Sequence, residues 1–453
     1  MRDFRNAEWK SQVTEAVKRV NEQQIQFARL QFVDVNGIPK VLLVPARDLE
    51  SIFENGRSFD GSSVAGYREI EESDMLAFPD PSTFAVIPWR SGRKSTCRFI
   101  CDIYLPDGQR FQADPRYVLE RAIEECRKSG LEFKCAPELE FFLLKEADTT
   151  APKPIDIGGY FELEPGETTE DLRREIAEAA ETFGIVIEVA HHEVALGQNE
   201  IDFEYDEVLL TADRTVTMKM ITKAIAAKGG YMATYMPKPF MDVNGSGMHV
   251  HESMWTADGK TNVFFEGDES RNYLSDTALH FIGGQLTHGR EMSAILASWP
   301  NSYKRLVPGY EAPVYIAWAF KNRSPLIRVP NFSGRSGAAR CEIRCPDPAG
   351  NPYLQFAVLC LSGLDGVRKK IDPPEPTEMN VYRMGYEERK ERGIVSLPES
   401  LSEALSEAEK SEFVRQALGE EAFAAFLKEK HKEWDLYRTQ VSSWEFERYV
   451  RKL

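Results

Sequence analysis

Glu138-Leu139-Glu140-Phe141-Phe142-Leu143-Leu144 places two carboxylates two residues apart in an otherwise apolar run, hence on one face of a β-strand. On an edge strand that face would be solvated; inside a sheet, two like charges need a counter-ion. Downstream, extended segments at 133–144, 185–190, 247–255 and 339–345 alternate with amphipathic helices at 169–183, 213–228, 274–297 and 353–370, which predicts one large domain of sheet plus helices. Upstream, Asp114-Pro115 supplies an N-cap and a proline at the first position of a helix that stops at Gly130, and a domain boundary falls near residue 110. Before it lie a helix at 7–24, whose Trp9, Val13, Val17 and Val20 share a face, a hairpin turning at Asn36-Gly37 and a second turning at Asp107-Gly108. The expected fold class is α+β, with a small module at 1–110 and a large one at 111–453. Residues 397–453 read as a helical, charge-rich tail able to dock on a neighbour, and 372–376 as a proline-rich surface loop.

Composition narrows the function. A 453-residue chain with 42% hydrophobic and 28% charged residues has room for about three domains, or two if one is large, and is neither disordered nor disulfide-stapled. Its 56 basic and 72 acidic residues leave a formal charge of −16, which argues against a general nucleic-acid or anionic-membrane binder but allows a local basic pocket. MRDFRNAEWK has charges where a secretory signal needs an apolar core, and no run reaches the roughly 18 to 20 apolar residues that span a bilayer, so a cytoplasmic location is expected. Seven cysteines without a CxxC pair indicate neither a disulfide framework nor a zinc ribbon.

Three further segments carry chemistry. His191-His192-Glu193-Val194-Ala195-Leu196-Gly197-Gln198-Asn199-Glu200 adds two carboxylates around a glycine turn. Asn244-Gly245-Ser246-Gly247-Met248-His249-Val250-His251 has glycines that let the backbone pass close to a ligand, then two histidines on one strand face; the plain alternative is a flexible loop with two satisfied core histidines. Arg340-Cys341-Glu342-Ile343-Arg344-Cys345 puts Arg340, Glu342 and Arg344 on one face, as site residues or as a solvated ladder, with its cysteines in the core. Five glutamates and one histidine on separate strands would make one or two oxygen-rich cation sites, whose hard ligands select Mg²⁺ or Mn²⁺ over zinc. Two such ions suit phosphoryl transfer. Arg305, Arg323, Arg328, Arg335, Arg340 and Arg344, crowded within forty residues, suit carboxylate and phosphate. The chain has no GxxxxGK[ST] and no GxGxxG, so a nucleotide would be held in another way.

Asp60-Gly61-Ser62-Ser63, Pro137-Glu138-Leu139-Glu140-Phe141-Phe142, His191-His192-Glu193-Val194, Asn244-Gly245-Ser246-Gly247-Met248-His249, Lys304-Arg305-Leu306-Val307-Pro308-Gly309-Tyr310-Glu311-Ala312-Pro313, Asn322-Arg323-Ser324 and Asn351-Pro352-Tyr353 together resemble, in content and order, the glutamine synthetase family. The likeness is to the type I bacterial and archaeal class, in its shorter form without adenylylation. The resemblance implies an N-terminal β-grasp domain and a larger catalytic domain of antiparallel sheet plus helices. It also implies a dodecamer of two stacked hexameric rings, with active sites between neighbours and the C-terminal tail clasping the opposite ring. By the same resemblance Glu140, Glu193 and Glu200 hold one metal ion and Glu138, His249 and Glu342 another, with Mg²⁺ or Mn²⁺ at two or more per site. Glu188, His251, Ser253 and Arg328 lie near ATP, and Asn244, Gly245, Arg305 and Arg344 hold L-glutamate. The implied reaction ligates ammonia to the γ-carboxylate through γ-glutamyl phosphate. In it Arg323 contacts substrate and nucleotide and stabilises the transferring group, Asp60 of the adjacent subunit binds and deprotonates ammonium, and Glu311 contacts substrate and closes the site against water. Asp60 as a mere turn residue and Glu311 as an exposed loop carboxylate are the alternatives.

Several positions depart from the family pattern or leave it open. Tyr67 stands where many relatives carry Trp or Phe. The 335–339 loop has no clear match for the family's basic nucleotide contact, which leaves Arg335 a candidate. Tyr382 aligns with a tyrosine that some relatives adenylylate and is expected to be unmodified here. Arg68 sits where relatives use an arginine in glutamine feedback, or pairs with Glu69 or Glu71. A γ-glutamyl ligase for methylamine, ethanolamine or a polyamine would share every metal and phosphate residue, but Asp60, Ser63 and Glu311 favour ammonium. A non-catalytic nitrogen-sensing relative would have lost a metal carboxylate, and all six ligands are present. 2-Oxoglutarate, glutamine and a PII-type partner are the candidate regulators.

Overall fold

Ala28, Leu30 and Phe32 alternate inward along the strand Phe27–Val33, which turns through Asn36-Gly37 into Pro39–Pro45 as the expected antiparallel hairpin. Asp34 shapes the turn by accepting the N–H groups of Asn36 (3.0 Å) and Ile38 (2.9 Å), and Gly37 supplies a φ of +77°. The computed structural model describes residues 6–68, 73–90, 92, 95–145, 152–163, 168–269 and 272–453. In it the hairpin forms one side of a six-stranded sheet ordered Pro39–Pro45, Phe27–Val33, Thr96–Tyr104, Asp74–Pro79, Arg57–Asp60, with Ala85–Val86 paired to Thr96–Tyr104. Phe27–Val33 and Thr96–Tyr104 run parallel. The helix Ala7–Glu22 buries Trp9, Ala16 and Val20 in the same core, with Val13 and Val17 partly covered, as the helical spacing requires.

The second expected hairpin is reduced to one bridge, between Tyr104 and Arg110. Asp114 ends it by accepting the Ile103 N–H (3.1 Å) while also accepting the Arg116 N–H (3.1 Å) as N-cap of the helix Pro115–Lys128. Arg116 then fastens the small module to the large one. Its guanidinium meets Asp102 (2.6 Å) and Asp80 (3.0 Å) from the first sheet and Asp213 (2.9 and 3.1 Å) from the helix Val208–Lys228.

The large module is built on Leu131–Leu144, the centre of a sheet ordered Trp318–Ala319, Ile327–Arg328, Cys341–Ile343, Val250–Thr256, Leu131–Leu144, Gln198–Phe203, Ile187–His192. Asp206–Glu207 and Met232–Thr234 also pair with the central strand. Pairing is antiparallel throughout except between Trp318–Ala319 and Ile327–Arg328, which run parallel. Behind the sheet the buried helix Pro352–Lys369 crosses Asp276–His288 at Gly284 and Gly366, where a Cβ would strike the carbonyls of Ser362 and His280.

One expectation is corrected here. The continuous helix at 274–297 ends at His288, where Gly289, a poor helix former, is the C-cap, and resumes only at Ser293–Leu296; the His288 ring at the break is held by Asp365 (2.9 Å) and Glu291 (3.0 Å) and stacked on Phe413 (3.9 Å between centroids). Most of the C-terminal tail docks on its own chain. Leu401–Lys410 and Glu412–Leu418 bury their apolar faces against Ser293–Leu296 and Pro352–Lys369. Glu420–Arg438 buries Ala422, Phe423 and Phe426, while its last turn leaves Leu436 and Tyr437 exposed and the end beyond it Val441, Trp444, Phe446, Val450 and Leu453. All seven cysteines are free and buried, Cys341 and Cys345 among them. Among the described residues no helix is long and apolar enough to cross a membrane.

Candidate active site

The central strand delivers Glu138 and Glu140 to one face, and its antiparallel neighbours set the partners: Glu140 lies opposite Glu200, and Glu138 opposite Asp202. From the other side Val250–Thr256 and Cys341–Ile343 bring His249, His251 and Glu342. Between them lies a cavity of about 220 Å³ whose lining includes Glu138, Glu140, Glu193, Glu200, Asn244, Gly245, His249, Arg305, Glu311, Arg323, Arg328, Glu342 and Arg344. A second cavity of about 380 Å³ adjoins it, lined by Glu138, Glu188, His251, Ser253 and Arg340 among others. Glu138 is common to both.

Glu138 meets one histidine from each cavity. His249 Nδ1 lies 2.8 Å from its Oε2 and His251 Nε2 2.7 Å from its Oε1. Arg340 Nε donates to His251 Nδ1 (3.2 Å), which leaves Nε2 to carry the proton toward Glu138. Burial opposes ionisation of Glu138, but the bonds from His249 and His251 hold its carboxyl well below the ordinary range. Glu342, also buried, is held down by Arg344, which donates to Oε1 at 2.6 Å, while Arg328 donates to Oε2 at 2.9 Å. Burial, then the neighbouring Arg344 charge, lowers the His249 pKa and favours the neutral, ligating imidazole.

On the other half of the basin the carboxylates repel. Burial, then Glu138 and Glu193, push Glu200 up to about 9; burial, then Glu200, Glu138 and Glu140, push Asp202 up to about 10. Glu140 is driven up by burial and by Glu200 and Glu193 even though its Oε2 accepts Gln198 Nε2 (2.8 Å) and the Gly247 N–H (3.0 Å). So many carboxylates in one dry space fit a site built for a divalent cation. Ligand atoms of Glu138, His249 and Glu342 lie within 4.8 Å of one another. A second such group joins Glu200 to His191 and Asp202, two neighbours the sequence motifs had not singled out. Glu140 and Glu193 line the same cavity.

The remaining site residues sort by position. Asn244, Gly245, Arg305 and Arg344 line the first cavity, and so does Arg328, while Glu188, His251 and Ser253 line the second. Arg305 spends donors on the carbonyls of Cys345 (2.9 Å), Pro346 (3.1 Å) and Arg344 (3.0 Å) and so shapes the wall more than it reaches into the space. Arg328 and Arg344 each give one guanidinium nitrogen to Glu342 and line the cavity with the rest of the guanidinium group. Glu311 is exposed on its loop and accepts Asn244 Nδ2 at 3.3 Å; Arg323 is exposed at the rim. Arg335 turns back to the Phe332 carbonyl (3.3 Å), and the basic residue lining the second cavity from this region is Arg340. Asp60 and Ser63 are exposed at the edge of the small module and are not among the described residues lining either cavity. Arg68 lies 3.8 Å from Glu421, while Glu69 and Glu71 lie outside the described residues.

The motifs missed Tyr160, which lines the first cavity, and Lys134 and Tyr205, which line the second near Trp255. Glu252 was missed as well. It lies buried in the second cavity's wall, held by Gln285 Nε2 at 2.8 Å, and burial pushes its carboxyl up to about 8 against that bond. The fold thus keeps a proton that the unfolded chain releases near 4.5, so this group's contribution to stability falls as pH rises from about 5 through 8. Glu252→Gln should flatten the decline of the thermal midpoint between about pH 5 and 8. An unchanged slope would show that Glu252 is ionised in the fold.

Residues 24–106 match the family described as "Glutamine synthetase, beta-Grasp domain", and residues 112–449 that described as "Glutamine synthetase, catalytic domain". A Methanosarcina mazei protein named glutamine synthetase is 50% identical over 446 residues, 98% of this chain and 98% of that one. One from Thermotoga maritima is 47% identical over 440 residues, 96% of this chain and 99% of that one. Among solved structures, a GmaS/ADP complex superposes with a TM-score of 0.88 at 32% identity, covering 96% of this chain and 99% of that chain. A Plasmodium falciparum glutamine synthetase shares the fold, with a TM-score of 0.85 at 24% identity over 96% of this chain and 98% of that chain.

Proposed function

The chain belongs to the glutamine synthetase family, and from that premise we propose that its two cavities ligate ammonia to the γ-carboxylate of L-glutamate, with ATP cleaved to ADP and phosphate. The observation that carries the reading is Glu138, shared by a carboxylate-and-arginine cavity fit for glutamate and an adjoining cavity fit for a nucleotide. Glu138, His249 and Glu342 would hold one Mg²⁺ or Mn²⁺ ion, and Glu140, Glu193 and Glu200 another. When bound, these ions neutralise charge on the phosphoryl oxygens.

The guanidinium groups of Arg344 and Arg328, which line the first cavity, would hold the glutamate end against the Asn244-Gly245 loop. The γ-carboxylate oxygen attacks the terminal phosphorus, ADP leaves, and Arg323 at the rim stabilises charge on the group in transit. Ammonia then attacks the γ-carbon, the bond to phosphate breaks, and glutamine results. Glu311 covers this step against water.

Asp60 of a neighbouring subunit's small domain (1–110) would bind ammonium and take its proton. Its exposure on an edge strand suits that role. The assembly would be a dodecamer of two stacked hexameric rings in the cytoplasm, with the exposed end from Val441 to Leu453 reaching the opposite ring and a PII-type protein as regulator. Asp60→Ala should lower amine transfer by roughly 10²-fold or more while leaving ATP binding intact. Equal losses in both would remove Asp60 from the ammonium site. The reading itself is tested by phosphate release with ATP, Mg²⁺ and glutamate, comparing ammonium with small amines. Stimulation by ammonium alone supports it, stimulation by a larger amine reassigns the acceptor, and silence with every acceptor refutes catalysis.

A further inference from the structure

Tyr382 lines neither cavity, yet its hydroxyl donates to the carbonyl of Ala312 at 2.6 Å, one residue beyond Glu311. Burial pushes the phenol up to about 12, so it remains a donor at any physiological pH. Its ring sits 6.2 Å from that of Tyr315, which Arg389 covers at 4.5 Å. The same short segment also grips the loop that carries Arg323. Asn322 Nδ2 donates to the carbonyls of Thr377 (3.0 Å) and Met379 (2.6 Å), and the Val381 N–H donates to Ser324 Oγ (3.1 Å). Glu378 accepts the N–H groups of Phe320 (2.8 Å) and Lys321 (3.3 Å).

Residues 377–382 are thus an external brace for both loops that present exposed, charged site residues. Glu311 has particular need of one. Its φ of +58° is a conformation that a non-glycine residue keeps only where its surroundings impose it. On the cavity side its carboxylate has a single long bond, from Asn244 at 3.3 Å.

We propose that Tyr382 is a positioning residue that holds the Glu311 loop over the acyl phosphate and so sets how tightly ATP cleavage is coupled to amide formation. This rests on the functional reading above. In the coupled reaction the ammonia nitrogen bonds to the γ-carbon, the carbon–oxygen bond to phosphate breaks, and a proton leaves the nitrogen. With the loop slack, water attacks the same carbon and the same bond breaks. Glutamate and phosphate are returned, and one ATP is hydrolysed with no glutamine formed.

Tyr382→Phe removes one oxygen atom and keeps the ring. With phosphate and glutamine measured in parallel on the full-length assembly, the phosphate-to-glutamine ratio should rise from about one to two or more, with glutamate-dependent phosphate release in the absence of ammonium rising several-fold. KM for ATP should stay within about twofold. Amide hydrogen exchange across 309–314 should quicken by roughly tenfold while that of the helix Pro352–Lys369 does not, a readout independent of turnover. By contrast, Asn322→Ala loosens only the Arg323 loop and should slow turnover with the ratio near one. A ratio that stays at one in Tyr382→Phe, with exchange at 309–314 unchanged, overturns the proposal. A wild-type protein that makes no glutamine overturns the functional reading first, and the proposal falls with it.

Discussion

Glu138→Ala is expected to lower kcat/KM by roughly 10³-fold or more, the largest single loss from any residue of the basin. The substitution removes the acceptor of two histidines at once, His249 at 2.8 Å and His251 at 2.7 Å, and one of three groups whose ligand atoms converge within 4.8 Å. It leaves Glu342 alone against Arg344 and Arg328, so the formal charge of these groups goes from balanced to net positive and that half of the basin repels a cation. Direct Mn²⁺ titration of the purified variant should show one class of site weakened, and a single turnover of γ-labelled ATP should show phosphoryl transfer slowed along with the overall reaction. Glu138→Gln, which keeps the shape and one acceptor oxygen, should recover the fold but little of the activity. Activity within tenfold of wild type in Glu138→Ala would mean the basin works without this carboxylate.

Arg116→Ala should destabilise the chain by about 3–5 kcal/mol, because the cost lies in what is left behind. Asp80 and Asp102 from the first sheet and Asp213 from the helix Val208–Lys228 converge on one guanidinium, all nearly without solvent contact. Asp102 keeps Arg110 (2.8 Å) and Asp213 keeps the Tyr353 hydroxyl (2.6 Å), which limits the damage without removing it. Urea unfolding at fixed protein and metal concentration measures the loss. The double substitution Arg116→Met with Asp213→Asn should lose less than the sum of the singles, since one orphaned charge is removed with its partner. A loss under about 1 kcal/mol in Arg116→Ala would show that water already reaches this cluster.

The parts of this architecture that could be read from the chain are those decided by neighbours in sequence. Asp114-Pro115 starts a helix and Asn36-Gly37 turns a hairpin because the relevant hydrogen bonds close within four residues. Strand alternation likewise put Glu138 with Glu140, and Arg340, Glu342 and Arg344 together. What escaped reading is decided across distance. The truncated second hairpin comes from Asp114 competing for the Ile103 N–H, whereas the break after His288 had a local signal in Gly289 that the apolar spacing outweighed. Tyr160, Tyr205 and Lys134 carried no signal, since an isolated Tyr or Lys looks the same on any loop or strand. Asp202 could have been found, because it follows Glu200 by two residues on the same strand face, the rule already applied to Glu138 and Glu140. Arg335 and Arg340 were equivalent candidates by charge, and only the path of the loop separates them.

One carboxylate wired to a histidine in each cavity also makes the two ligands thermodynamically interdependent. A ligand that draws Glu138 Oε2 away from His249 alters how strongly Oε1 accepts from His251, and the effect must run equally in reverse. Whatever factor the nucleotide adds to glutamate affinity, glutamate adds to nucleotide affinity. Under the proposed assignment of the two cavities, Glu138 would couple the two ligands within one chain, and Glu138→Gln should weaken that coupling in paired binding titrations.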